Sequence, residues 1–124
     1  MDFDPMVPIW QQIATQLKQQ IASGRLSPGT KLPGGRDLAL TYGINPNTAA
    51  RVYQELEREG ICQTRRGLGT FVTEHEERIR ALRDELSRRA VKRFLDELHG
   101  LGHGPEDAIA LLQMERLKKE EQPT

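Results

Sequence analysis

Ile44-Asn45-Pro46-Asn47-Thr48-Ala49-Ala50-Arg51-Val52-Tyr53-Gln54-Glu55-Leu56-Glu57-Arg58-Glu59-Gly60 runs directly into Ile61-Cys62-Gln63-Thr64-Arg65-Arg66-Gly67-Leu68-Gly69-Thr70-Phe71-Val72-Thr73. Asn45 is a strong N-cap, because its side-chain oxygen can take an orphan N–H of the first turn. Pro46 suits the first helical position, where its missing N–H had no helical partner. The spacing predicts a helix from Asn45-Pro46 to about Glu59, with Gly60 past its end and Ala49, Val52, Tyr53 and Leu56 on its inner face. Ile61–Thr64 and Thr70–Thr73 read as two short strands, and Arg65–Gly69 between them as a basic hairpin loop.

Upstream, Ile9, Ile13, Leu17 and Ile21 recur every four residues, with Trp10 and Ala14 beside them. This is an amphipathic helix over residues 8–23, stopped by Gly24. Residues 25–33 form a turn-rich connector with Leu26 and Leu32 turned inward. A short helix from Arg36 to Tyr42 ends at Gly43. Downstream, one long helical pattern covers His75 to Leu98, with Ile79, Leu82, Leu86, Ala90, Phe94 and Leu98 at three- and four-residue steps. Acid-before-base pairs four apart (Glu74→Arg78, Glu76→Arg80, Asp84→Arg88, Glu85→Arg89) add a few tenths of a kcal/mol of helix support each. Gly100-Leu101-Gly102-His103-Gly104 breaks the pattern. Pro105-Glu106-Asp107 restarts a helix carrying Ile109, Leu112 and Leu117, and the final residues are expected to fray.

Composition bounds the function. The chain has 124 residues, 18 basic and 18 acidic, and a net charge of zero, so neither a polybasic tail nor an acidic solvating chain is present. Its single cysteine excludes an internal disulfide framework and suggests a reducing compartment. No apolar run nears the ~20 residues of a membrane span, and Met1-Asp2-Phe3-Asp4 carries no export signal. The expected location is the cytoplasm, with no membrane partner. The zero charge hides an asymmetry: residues 1–73 hold 8 basic and 6 acidic side chains, residues 74–124 hold 10 and 12. The first part is punctuated by Gly and Pro, and the second is charged and helix-favouring. Two units are expected, 1–73 and 74–124.

Helix, short helix, tight turn, capped helix and two-strand hairpin together predict an α+β, mostly helical fold, with an N-terminal winged helix-turn-helix and a two-helix C-terminal unit. A helix offered N-terminus first can enter the major groove of double-stranded DNA, early residues at base edges and its positive dipole end near phosphate. Asn47, Thr48, Arg51, Gln54, Glu55 and Arg58 are the outward candidates; Asn can read adenine bidentately and Arg guanine. Arg65 and Arg66, with glycines that let backbone approach closely, suit the minor groove or its phosphates. No nucleophile elbow, phosphate loop or acid/base pair appears, so no enzyme and no cofactor is expected. His99 and His103 have a metal-ligand spacing, but three glycines make that stretch a loop, and no metal site is expected. Cys62 reads as a small buried residue.

The residues also resemble a family. Leu32-Pro33-Gly34-Gly35-Arg36-Asp37-Leu38-Ala39, Ile44-Asn45-Pro46-Asn47-Thr48, Leu56-Glu57-Arg58-Glu59-Gly60-Ile61 and Arg66-Gly67-Leu68-Gly69-Thr70-Phe71-Val72, with Pro8-Ile9-Trp10-Gln11-Gln12-Ile13 and Ile21-Ala22-Ser23-Gly24-Arg25-Leu26, are similar in order to the DNA-binding domain of GntR-family bacterial regulators. The Asn-Pro-Asn-Thr start and short C-terminal part resemble the YtrA-like subgroup. That resemblance implies a dimeric repressor, in many such members of an ABC-transporter operon. It implies that Arg36 meets the DNA backbone, that Asn45, Asn47 and Thr48 meet bases and phosphates, and that Gly69 lies at the wing tip. Two departures stand out. Gly34-Gly35-Arg36 replaces the usual Ser-x-Arg, and relatives often carry arginine at the positions of Pro46 and Ala50, which makes Arg51 the substitute base reader.

The C-terminal part is too short to enclose a ligand within one protomer. Its apolar seam (Ile79, Leu82, Leu86, Phe94, Leu98) is expected to be buried in a two-fold homodimer, which would set two recognition helices on an inverted repeat. Two other readings stay open on sequence alone: a dimeric winged-helix interaction module without DNA binding, and a DNA-binding dimer with a small-molecule effector at its interface.

Overall fold

A computed structural model describes residues 3–121. The chain divides into two compact units, the first extending through Asp84 and the second beginning at Glu85. The first holds α1 (Ile9–Ala22), α2 (Gly35–Tyr42), α3 (Pro46–Arg58), β1 (Cys62–Arg65), β2 (Gly69–Val72) and the first turns of α4 (Glu76–Gly100). The second holds the rest of α4 and α5 (Pro105–Glu121). Residues 122–124, where fraying was expected, lie outside the described residues.

The core of the first unit joins Ile13, Leu17 and Ile21 of α1, Leu38 of α2, and Ala49, Val52 and Leu56 of α3, with Ile61 and Val72 from the sheet region. Burying each large apolar side chain contributes about 1.5–3 kcal/mol at most. Tyr53 is buried as well, and its hydroxyl donates to the Pro33 carbonyl, fixing the connector ahead of α2 against α3. Gly43 closes α2 in the left-handed conformation (φ 65°), so the turn into Asn45 is tight.

The strands sit one residue off the expected bounds. Cys62 pairs with Val72 and Arg65 with Gly69, leaving only residues 66–68 as loop. The loop closes by Leu68 N–H donating to the Arg65 carbonyl (2.9 Å), with Gly67 at φ 77° in the third turn position, where a side chain would be strained. The connector also does more than turn. Leu32 N–H donates to the Thr70 carbonyl and Val72 N–H to the Thr30 carbonyl, both at 2.8 Å, so residues 29–32 cover the second edge of β2. Pairing of this length leaves no alternation to read in a sequence.

Two residues expected in the seam lie in the first unit. Ile79 (8% exposed) and Leu82 (1%) are buried and fall in the first unit. The start of α4 belongs to this unit because helix C-termini leave carbonyls that need donors. Arg78 Nε donates to the Glu59 carbonyl at the end of α3 (2.8 Å), and Arg83 Nε to the Ala22 carbonyl at the end of α1 (2.9 Å). Lys18 of α1 pairs with the Glu59 carboxylate at 2.7 Å, so one residue ties α1 and α3 to α4. The two compact units accordingly part after Asp84, within α4.

The second unit is built differently. Ala108 is its one buried apolar residue among the described residues. Val91, Leu101, Ile109, Leu112, Met114 and Leu117 are all more than half exposed, while Leu86, Phe94 and Leu98 are half-buried. The start of α5 is well capped: Asp107 accepts from the Gly104 N–H (3.0 Å) and from the His103 ring (3.2 Å), the reach-back half of a capping box. These bonds, the backbone one foremost, hold the Asp107 carboxyl below its usual range.

Candidate nucleic-acid interface

The start of α3 is organised by its cap. Asn45 Oδ1 accepts the Asn47 N–H at 2.7 Å, and the Asn45 carbonyl accepts from Thr48 and Ala49. The cap uses the Asn45 oxygen and leaves its amide N–H groups to donate. Asn47 and Arg51 are exposed and Thr48 half-buried; one turn apart, Asn47 and Arg51 share a helix face. The helix places its apolar side so firmly that this polar face is fixed relative to the core: Ala49, Val52 and Leu56 are fully buried.

The arginines differ in what already holds them. Arg58 is tied to the Glu55 carboxylate three residues earlier, and each shifts the other toward its charged form. Arg65 lies 5.0 Å from the Phe71 ring centroid and 3.9 Å from a Glu74 oxygen, a loose exposed pair. Arg36, Arg51 and Arg66 have no carboxylate partner among the described residues. Arg36 lies beside Pro46 on an open depression between α2 and α3, and Arg66 stands at the wing turn.

The wing and the start of α2 border a common cleft, lined by Lys31, Gly34, Gly35, Gly69 and Thr70 among others. Gly69 has φ 119°, and a Cβ there would come within 2.9 Å of the Lys31 side chain. Lys31 carries no sequence signal of a site, because its segment reads as a plain connector; the pairing with Phe71 brings its charge to the wing. Trp10 carries none either; its ring lies under Arg51 with the guanidinium carbon 4.4 Å from the centroid. No spacing signal links residues 10 and 51; only the packing of α1 on α3 does.

Cys62 is buried, and burial, helped by Glu57 nearby, pushes its thiol up to about 12. It is a packing residue with no nucleophilic character near neutral pH.

Residues 9–72 match the family described as Bacterial regulatory proteins, gntR family. The chain belongs to the GntR family. The same assignment follows from its relatives. It is 40% identical to the uncharacterized HTH-type transcriptional regulator YhcF of Bacillus subtilis, over 86% of this chain and 88% of that one. It is 48% identical to the HTH-type transcriptional repressor YtrA of the same organism, over 55% of this chain and 52% of YtrA. A solved GntR family transcriptional regulator from Listeria monocytogenes superposes with a TM-score of 0.83 at 35% identity, covering 90% of this chain and 98% of that one. This GntR regulator is therefore a DNA-binding transcription regulator and not an enzyme, with the winged helix-turn-helix its sequence implied. Its helices are also all too short or too polar to cross a membrane, among the described residues.

Proposed function

We propose that this GntR regulator is a cytoplasmic, homodimeric repressor that binds an inverted-repeat operator. The observation that carries the reading is the polar face at the start of α3, exposed Asn47 and unpaired Arg51 on a capped helix, together with the unpaired Arg66 at the wing turn. Asn47 and Arg51 take the base edges. Arg36, Arg65 and Arg66 take phosphates, and the wing backbone at Gly69 approaches the groove, with Asn45 and Thr48 at the entry of α3. Similarity to YtrA, a transcriptional repressor, supports repression, and the resemblance to YtrA-like regulators supports an ABC-transporter operon as target. Dimerisation is supported by the uncovered apolar side chains of the second unit, which need a partner surface. The seam shifts accordingly: Leu86, Phe94 and Leu98 remain in it, joined by side chains of α5, while Ile79 and Leu82 leave it.

Selection of genomic fragments on the purified protein, followed by binding to the selected and a scrambled duplex across a salt series, tests this. Affinity is expected to fall by orders of magnitude from low to moderate salt. Arg36→Ala should weaken both duplexes and lower the salt slope by about one unit, whereas Arg51→Ala should cost about 1–3 kcal/mol on the selected duplex and far less on the scrambled one. Failure to enrich any fragment, or a salt-independent affinity, refutes the assignment of this face to DNA.

A further inference from the structure

Trp10 is the second residue of α1 and Arg51 lies midway along α3, yet the Arg51 guanidinium carbon sits over the indole, 4.4 Å from its centroid. The indole is half-buried and the arginine exposed. Trp offers the most favourable ring for such a contact, which acts through charge on the ring quadrupole. It therefore holds the guanidinium without using an acceptor, and the N–H donors stay available to something else. Arg58 on the same helix shows the opposite arrangement, its donors occupied by Glu55. Arg51 also has no carboxylate or carbonyl partner among the described residues. A long side chain that is located but not neutralised, one turn from Asn47 on the face assigned to base reading, is preorganised for a directional contact, since less rotamer freedom is lost when it forms.

We infer that Trp10 is a positioning residue for DNA recognition: it holds Arg51 over the α1 surface so that the guanidinium meets a base edge with its donors already placed. The inference rests on the reading of Arg51 as a base contact. Trp10 makes no base contact itself, and its effect is carried wholly by Arg51.

The chain has a single tryptophan, so its emission reports on the stack. Removal of the cation by Arg51→Ala should change the emission intensity or maximum of the free protein, and an unchanged spectrum overturns the inference. Binding is then measured on the selected and scrambled duplexes with full-length Trp10→Leu, Trp10→Phe, Arg51→Ala and the Trp10→Leu/Arg51→Ala double variant, each checked for a cooperative melt. Trp10→Leu should weaken the selected duplex about tenfold while leaving the scrambled one within about twofold, and Trp10→Phe, which restores a ring, should recover most of the loss. The double variant should bind no more weakly than Arg51→Ala alone, because the two act through one contact. Multiplying losses, or equal loss on both duplexes, overturn the role of Trp10 while leaving Arg51 as a reader. If Arg51→Ala itself spares the selected duplex, the reading of Arg51 falls and the inference falls with it. Should Trp10→Leu fail to fold, the phenylalanine variant decides: a loss on the selected duplex larger than that of Arg51→Ala refutes positioning.

Discussion

The two units use similar helices to opposite ends. In the first, the large apolar side chains of α3, most of those of α1, and Ile79 and Leu82 at the start of α4 are covered by its own chain, while Ile9, Leu40 and Leu68 stay exposed. In the second, α4 and α5 hold a comparable supply of Leu, Ile and Val, but among the described residues only Ala108 is buried. The amphipathic pattern is the same kind of signal in both. What differs is whether the chain supplies the opposing surface, and a helix without one depends on an outside partner for its stability. Burial in the first unit sets which face is offered to DNA, while exposure in the second is what the proposed dimer would cover.

The largest expected effect would break this contrast if it failed. Leu82→Ala should destabilise the first unit by about 2–5 kcal/mol, as for a filled site left as a cavity, read by urea unfolding. If Leu82→Ala instead left unfolding unchanged and lowered only self-association, α4 would belong to the seam from its first turns. Next, Leu112→Asp with Leu117→Asp should convert a dimer to monomers in sedimentation and weaken operator binding at least about tenfold through lost bivalency. The first unit should keep its own melting transition, since neither side chain is part of its core. A wild-type monomer at micromolar concentration would remove the reason given for the exposed face.

The smallest effect titrates one unit only. Burial raises the Cys62 thiol from 9.0 to about 12 and raises the Tyr53 phenol too. In both cases the folded chain keeps its proton where the unfolded chain has lost it. Their contribution is therefore fully present below about pH 9 and declines as pH rises through the folded values. Unfolding free energy should drop by a few tenths to about 1 kcal/mol between pH 7.5 and 9.5. Cys62→Ala should flatten that slope while lowering stability at neutral pH. An identical slope in the variant would mean that Cys62 does not set it.

Much of this was legible in the residues. The Asn45 cap, the Pro46 start and the Gly43 and Gly60 stops are local chemistry, and α3 lies where they put it. The wing was legible as two short strands around glycines. Its extra pairing with residues 29–32 was not, because backbone hydrogen bonds to a third segment leave no mark on side-chain spacing. The long helix was legible too: periodicity gave Ile79 through Leu98 as one stripe, but it cannot tell which stretch faces its own chain. That was decided by Arg78 and Arg83 reaching the carbonyls of Glu59 and Ala22, contacts across 19 and 61 residues. The same blindness hid Trp10 beneath Arg51.

Those two arginine clamps also bear on how such regulators can be recombined. The family match ends at residue 72, yet the ends of α1 and α3 are finished by side chains from α4. A chimera spliced at Thr73 would strip the clamps from the donated head and uncover the surface beneath Ile79 and Leu82, whereas a joint after Asp84 carries them along. For this architecture, the portable cassette is the winged domain plus the opening turns of α4, and any C-terminal module grafted on inherits a helix already in progress.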